Sequence, residues 1–538
     1  MRDPLPERLR ALLAHLDADL VERDAVLRVA LLGVLAGDNV LLLGPPGTAK
    51  SLVARRLTEA VAGARCFQYL LTRFTTPEEL FGPVSLAALR ERDAFERKVE
   101  GYLPSAEIAF IDEVFKASSA ILNTLLTLLN ERVFFNGAAP VPVPLVALIG
   151  ASNETPADDT LAALYDRFGV RLLVAPVGSE AGFLALVEGG GDAAPVPDAL
   201  ALRPEELTAL RARAAEVRLS PAAQRAVLKL RAGLNERAAA CEDPDRFYVS
   251  DRRWRNGVRL LRIAAAVVGR GRVEPVDLTL LRHTLWNHPE DAAAVAALVD
   301  EALEDPALAL GDGFGPVHAR WTALLTGLRD TPDVGEALSE GWALRWGAER
   351  WTLSDAELDG CRTADPEALL RFGLIGVDGQ LRRVRTTDDG RPRTRWGHSL
   401  DEALRLVRFG QGRDALELEA GEVVARRRLA RGVRFGFGAL PRLAREARLT
   451  EVEALRAALD TLDAARGAAA EALEAQLQVH PFITDAGPLR AGQARAALLL
   501  DEWRAQVDAL AGALQAGGRW ATAEIEPTAA MREALESA

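Results

Sequence analysis

The chain's chemistry gathers at an octet, Gly44-Pro45-Pro46-Gly47-Thr48-Ala49-Lys50-Ser51, set between the apolar run Val40 to Leu43 and an amphipathic stretch. Small residues between a strand and a helix let backbone N–H groups curl around phosphates, and the new helix turns its positive end toward them. In such a loop Lys50 reaches the β- and γ-phosphates and Ser51 holds Mg²⁺, with Leu52 completing the binding set. The pattern expects glycine before the lysine, and Ala49 stands there instead. Of the 65 basic residues only Lys50, Lys98, Lys116 and Lys229 are lysines. A lysine in the loop is therefore informative, because arginine's planar fork does not replace a compact ammonium against phosphate oxygens.

About 60 residues on, the apolar run Ile108 to Ile111 ends in Asp112 and Glu113. A carboxylate at a strand tip can hold the Mg²⁺ shell, and the next can orient and polarise an attacking water. A third run, Leu145 to Ala151, ends in Ser152-Asn153-Glu154. Asn153 offers a donor and an acceptor at the sheet edge where a γ-phosphate would lie. Arg167, with Arg171 as its rival, precedes or lies in the last run, where an arginine can point into a neighbouring subunit's phosphate site.

The elements that position these residues are five short apolar runs, Val40 to Leu43, Phe67 to Leu71, Ile108 to Ile111, Leu145 to Ala151 and Val170 to Val174, alternating with helical patterns. That reads as an α/β core with a five-stranded parallel sheet. The small-residue break at Gly189-Gly190-Gly191 separates this domain, 1–190, from a helical domain, 191–305. Residues 341–437 are rich in tryptophan, arginine and glycine, with alternating runs such as Trp342 to Trp351 and Ala415 to Arg428 and Asp-Gly turns at Asp378-Gly379 and Asp389-Gly390. They read as a small β-rich insert. Leu449 to Val479 and Leu489 to Ala516 read as a helical hairpin, which with Val317 to Leu328 makes a discontinuous helical domain, 306–340 and 438–517, before a tail, 518–538.

Composition excludes several classes. The 538 residues suggest about three or four domains. A net charge of −12 argues against nucleic acid and anionic lipid as partners. Three scattered cysteines form no disulfide framework or zinc site, no HExxH is present, and no apolar run reaches a membrane span. The N-terminus lacks the apolar core of a secretory signal, so a cytoplasmic protein is expected.

The loop at 44–51, the run Leu71-Thr72-Arg73-Phe74-Thr75-Thr76-Pro77-Glu78-Glu79-Leu80-Phe81-Gly82-Pro83, Gly101-Tyr102-Leu103-Pro104, and Ile108 to Gly137 together resemble the MoxR family of AAA+ ATPases. Within it they are most similar to the RavA-type regulatory ATPases. Alanine before the lysine is normal in that family. The resemblance implies an all-α lid after the core, ATP and Mg²⁺ as cofactors, Asn153 as sensor 1, Arg167 as the trans-acting finger, and Arg252 as the sensor 2 arginine, with Arg253 adjacent. It implies a homo-hexameric ring hydrolysing ATP between subunits and a von Willebrand factor A-domain co-protein. Two β-hairpin insertions are expected at Val84 to Gly101 and at Phe134 to Val143, where Asn136-Gly137 is a strong turn signal. RavA-type proteins also carry a discontinuous helical unit interrupted by a small β domain. Enteric members bind an inducible lysine decarboxylase through it, but this insert is only loosely similar, so that partner is a weak extension.

The leading expectation is a chaperone-like remodeller or assembly factor for proteins. The alternatives are a DNA-translocating ring motor and a nucleotide-gated scaffold. A motor needs basic charge on its inner hairpins. The first insertion balances Arg90, Arg92, Arg97 and Lys98 against Glu91, Asp93, Glu96 and Glu100, and the second is almost uncharged.

Overall fold

Wholly apolar runs make strands that can be covered on both faces, and a computed structural model of the chain shows that arrangement. The structure describes residues 4–156, 159–189, 194–331, 334–336, 341–346, 349–354, 385–386, 392–393, 407–409, 415–420 and 423–523. The chain divides into two compact units, residues 1–309 with 468–494, and residues 310–467 with 495–538.

In the first unit α1 (Leu5–Asp17) and α2 (Asp24–Ala36) lead into β1 (Asn39–Leu43), α3 (Lys50–Glu59) and β2 (Cys66–Leu70). The short helices α4 (Pro77–Phe81) and α5 (Leu86–Arg92) precede β3 (Ile108–Asp112) and α6 (Ser119–Glu131). A hairpin, β4 (Val133–Asn136) with β5 (Ala139–Pro142), is followed by β6 (Ala147–Ser152), α7 (Asp159–Tyr165), β7 (Phe168–Leu173) and α8 (Glu180–Glu188). The five core strands form one sheet in the order β2-β3-β6-β1-β7, with every pairing parallel. All five residues of β1 and all six of β6 are buried, as apolar strands inside a helix-covered sheet must be. Because β3, β6 and β1 are neighbours, the loops after them meet at one edge of the sheet, where α/β folds place their ligands.

The two insertions differ from expectation. Residues 84–101 form no regular hairpin: Ser85 caps the helix α5 through the Ala88 N–H, and a single bridge, Val84 to Arg97, closes the segment. The second insertion is a hairpin, but Asn136 pairs with Ala139, so the two-residue turn is Gly137-Ala138 rather than Asn136-Gly137. Asn136 is otherwise engaged. Its Oδ1 accepts the Arg97 N–H at 2.6 Å and its Nδ2 donates to the Arg97 carbonyl at 3.1 Å, fastening one insertion to the other.

The helical domain contains α9 (Pro204–Glu216), α10 (Pro221–Ala240), α11 (Asp251–Val267), α12 (Ala292–Leu303) and α13 (Pro306–Leu310), with a short parallel pairing of β8 (Arg218–Leu219) and β9 (Arg272–Val273). One buried arginine joins it to the sheet and a second ties it together internally. Arg171 on β7 donates to the carbonyls of Trp286 and Tyr165, and Arg253 on α11 donates to those of Thr284 and Trp286. Carbonyl partners are what make a buried guanidinium tolerable. At the other end of the sheet Arg211 caps the last carbonyls of α2, and Arg259 pairs with buried Asp38.

In the second unit α14 (Phe314–Arg329) precedes a largely antiparallel sheet built from β10 (Gly335–Glu336), β11 (Gly341–Trp346) and β12 (Glu349–Ser354). Beyond them β13 (Arg385–Thr386) pairs with β14 (Pro392–Arg393), while β15 (Val407–Phe409), β16 (Ala415–Ala420) and β17 (Val423–Gly436) rejoin the sheet. The Asp378-Gly379 and Asp389-Gly390 turns lie outside the described residues. Two long helices follow, α15 (Arg442–Val479) and α16 (Gly487–Ala516), and then β18 (Arg519–Ala523). The last of these pairs with β17, so part of the expected tail is a strand. Within this unit Phe314 stacks on Trp503 at 5.5 Å, and Trp520 meets both Trp321 and Phe435.

The tip of the α15–α16 hairpin belongs to the first unit, where Phe482, Ile483 and Ala486 join the core. His480 at this tip is 4% exposed, and its Nδ1 accepts the N–H groups of Phe482 and Ile483. Burial, aided by the Arg270 cation, pushes its pKa down to about 3. Unfolded histidine binds a proton below pH about 6.5, whereas the folded ring does not until about 3. The unfolded state therefore holds more protons in that window, and the stability of the first unit falls as pH drops through it, by up to about 1.4 kcal/mol per pH unit. His480→Asn keeps an acceptor oxygen but cannot titrate. The difference between the urea midpoints of wild type and variant should shrink from pH 7 to 4.5; a constant difference would remove His480 as the cause.

Candidate functional site

The loop after β1 is shaped by two left-handed residues, Gly47 at φ 80° and Ala49 at φ 67°. This is why glycine is the usual residue before the lysine: alanine reaches the same conformation only with some strain. Gly44 is required for a different reason, since a Cβ there would collide with the Val174 carbonyl. The helix α3 starts at Lys50, and no side chain caps its N-terminus, which leaves the first turn's N–H groups suited to an anion. Lys50 Nζ donates to the carbonyls of Gly44 at 2.6 Å and Pro45 at 2.8 Å and to Asn153 Oδ1 at 2.7 Å. Burial pushes its pKa down, while the Asp112 and Glu113 carboxylates act in the opposite direction.

Sheet order brings the acids to this ammonium. Ser51 Oγ donates to Asp112 Oδ2 at 3.0 Å, and Asn153 Nδ2 donates to Glu113 Oε1 at 2.6 Å. Glu113 itself sits at φ 54°, which turns the chain sharply off β3, and its other oxygen lies 3.2 Å from Lys116 Nζ. Lys116 was not among the residues singled out from the sequence, although the scarcity that marks Lys50 marks it equally. The adjacent serine hydroxyl and aspartate suit Mg²⁺, which takes one or two protein oxygens and completes its shell with water and phosphate. Among the described residues no cluster of three or more His, Cys, Asp or Glu side chains forms an all-protein metal cage. A cleft of about 690 Å³ opens beside the loop, bounded by Gly44, Pro45 and Asn153 on one side and Asp243, Arg246 and His288 of the helical domain on the other.

Residues 7–212 match the family described as the MoxR domain in the MoxR-vWA-beta-propeller ternary systems, and residues 224–299 match an AAA lid domain. Two uncharacterized proteins of Methanocaldococcus jannaschii are each 37% identical to the chain. One aligns over 292 residues, 54% of this chain and 73% of the relative, and the other over 277 residues, 52% and 71%. The chain belongs to the MoxR family of AAA+ ATPases. A solved structure from Cytophaga hutchinsonii, described as a candidate ATPase, bears a looser likeness: 17% identity, a TM-score of 0.44, and coverage of 56% of this chain and 94% of that one.

This MoxR-family chain thus has an α/β AAA+ core with a helical lid. Its remaining candidate residues fall away from the loop. Arg167 donates from Nε to Asn130 Oδ1 at 3.1 Å and from Nη1 to the Ala163 carbonyl at 2.6 Å. Burial lowers its pKa, and the neighbouring Arg252 cation lowers it further. Arg171, its rival, is 1% exposed and lies 3.7 Å over the Tyr165 ring, so its guanidinium cannot reach outward. Arg253 is likewise 1% exposed. Arg252 is partly exposed and pairs with Asp166, whose other oxygen accepts the Ser250 hydroxyl. Lys50, Ser51, Asp112, Glu113 and Asn153 therefore form one group, and Arg167 and Arg252 form a second. Among the described residues no helix is long and apolar enough to cross a membrane.

Proposed function

We propose that this MoxR-family protein binds ATP with Mg²⁺ at the 44–52 loop, hydrolyses it in a homo-hexameric ring, and uses the cycle to remodel or assemble protein partners. The observation that carries this reading is the continuous chain of hydrogen bonds from Lys50 through Asn153 to Glu113, beside the Ser51–Asp112 pair. ATP supplies the bond to be broken and Mg²⁺ the cation that neutralises its phosphates. Ser51 and Asp112 hold that ion, and Lys50 holds phosphate oxygens. Glu113 orients the attacking water and takes its proton, and Asn153 couples the base to the phosphate end. Arg167, on a separate edge, serves the site of a second copy, and Arg252 stands with it.

The family's description makes a von Willebrand factor A-domain protein the first candidate partner and a β-propeller protein the second. A protein client also suits the insertions, which expose Leu86, Phe95 and Phe135 and set the basic Arg90 and Lys98 among the acidic Glu91, Asp93 and Glu100. Kinship with the RavA-type branch remains part of this proposal.

The trans role of Arg167 is tested by mixing. Arg167→Ala alone should cut turnover about 10³-fold or more. Added to equal Lys50→Ala protein, itself inactive, it should regain activity, because about one interface in four then pairs an intact loop with an intact finger. A mixture as inactive as its components would remove Arg167 from that role. Co-purification with the A-domain protein, with and without ATP, tests the partner.

A further inference from the structure

The phosphate loop at 44–51 is braced from behind by the dipeptide Glu22-Arg23, which precedes α2. Arg23 is 5% exposed. Its Nε donates to the Thr48 carbonyl at 3.1 Å, its Nη2 to the Ala175 carbonyl at 2.8 Å, and its Nη1 to the Glu22 carbonyl at 2.7 Å. Thr48 is pinned a second time, by its hydroxyl on the Pro45 carbonyl at 2.9 Å. In a planar trans peptide the C=O and the following N–H point in opposite directions. Fixing the Thr48 carbonyl on Arg23 therefore fixes the Ala49 N–H facing away from Arg23, immediately before Lys50.

Glu22 faces the other way. It sits at φ 56°, a left-handed conformation that costs a non-glycine residue energy. Its carboxylate accepts the N–H of Gly178 at 2.7 Å, the N–H of Ser179 at 3.0 Å, and the Ser179 hydroxyl. These residues open α8, whose own N-cap is Ser179. The segment between, Val174 to Ser179, also presses on the loop, because the Val174 carbonyl occupies the space beside Gly44. The helix at its end carries Phe183, Leu184, Leu186 and Val187, all more than half exposed.

We propose that Arg23 is a positioning residue for the phosphate loop, and that Glu22 and Arg23 together make the set of that loop and the seating of α8 a single equilibrium. This rests on the ATP-binding reading given above. The loop and the start of α8 share one brace: a shift of the Thr48 carbonyl on binding phosphate is passed to Arg23, which is bonded in turn to the carbonyls of Glu22 and Ala175. A loop amide presented in the same way throughout the reaction contributes uniform binding, which appears in KM and not in kcat.

Arg23→Gln removes the charged donor to Thr48. It should raise the KM for ATP about 10-fold or more, the scale of one charge-assisted hydrogen bond, while leaving kcat within about 3-fold. Arg23→Lys, which keeps a cation for one carbonyl, should recover part of the loss and decides the matter if the glutamine variant folds poorly. A purely structural role would lower kcat through loss of active protein and leave KM alone. In the second arm, hydrogen exchange of residues 180–188 in the wild type should slow when ATP is added, and in Glu22→Ala it should not respond. Wild-type KM in both Arg23 variants would overturn the positioning role. An α8 that ignores ATP in the wild type, or still responds in Glu22→Ala, would overturn the coupling. Wild-type protein that binds no ATP would sink the function itself, and this proposal with it; normal wild-type binding alongside either of the other failures would sink this proposal alone.

Discussion

Lys50→Ala should bind ATP at least about 100-fold more weakly than the wild type. The Lys50 ammonium is the one lysine in the loop, and its three donors are all aimed at the loop carbonyls and Asn153 within 2.8 Å. Phosphate oxygens that took over two of those bonds would be held by charge-assisted hydrogen bonds worth about 1.5 to 3 kcal/mol each, and each 1.4 kcal/mol is a factor of about ten in affinity. Arginine at this position should not rescue binding, because its guanidinium is longer, planar and spreads its charge over a fork. Equilibrium titration with a fluorescent ATP analogue reads the effect directly. An alanine variant within about 3-fold of the wild type would show that the loop holds no triphosphate.

Glu113→Gln should separate binding from hydrolysis. The Glu113 side chain is mostly buried, with one oxygen on the Asn153 amide and the other facing Lys116. Glutamine keeps an oxygen for the Asn153 amide and nearly the same shape, so ATP affinity should stay within about 3-fold. It has no carboxylate to take a proton, and loss of a positioned base costs about 10² to 10⁴ in rate. Single-turnover measurements should show retained ATP and very slow phosphate release. If the variant turns over within about 5-fold of the wild type, the water is activated by another group.

Much of the core was legible because its signals are local. Three of the five expected runs overlap their strands almost residue for residue, since an apolar run of that length has little alternative once helices cover both faces. The other two are displaced by two residues at their starts: Leu145 is buried but β6 begins at Ala147, and β7 begins at Phe168 rather than Val170. The hairpin expected in the first insertion rested on the family resemblance alone, while locally Ser85 at an N-cap, with Leu86 and Leu89 three apart, favours the helix that forms. The Asn136-Gly137 signal failed by one residue, because the asparagine side chain was claimed by Arg97, far away in sequence.

The arginines show where local reading stops. Arg167 and Arg171 are four apart and chemically identical in sequence, yet one reaches a surface edge and the other is sealed over Tyr165, with the lid's Trp286 carbonyl accepting from it. Arg252 and Arg253 divide in the same way. Arg23 carries no motif at all, and its bonds run to residues 25 and 152 positions away.

Residue order alone determined the phosphate loop, the two acids at a strand tip and the parallel core, since each follows from backbone conformations and side-chain patterns that neighbours in the chain impose on one another. Which arginines stay available, which group braces the loop, and that the tip of the α15–α16 hairpin packs with the first unit were decided only in three dimensions. A guanidinium is accommodated in the interior by whatever carbonyls surround it, and those are supplied by segments whose approach no local pattern encodes.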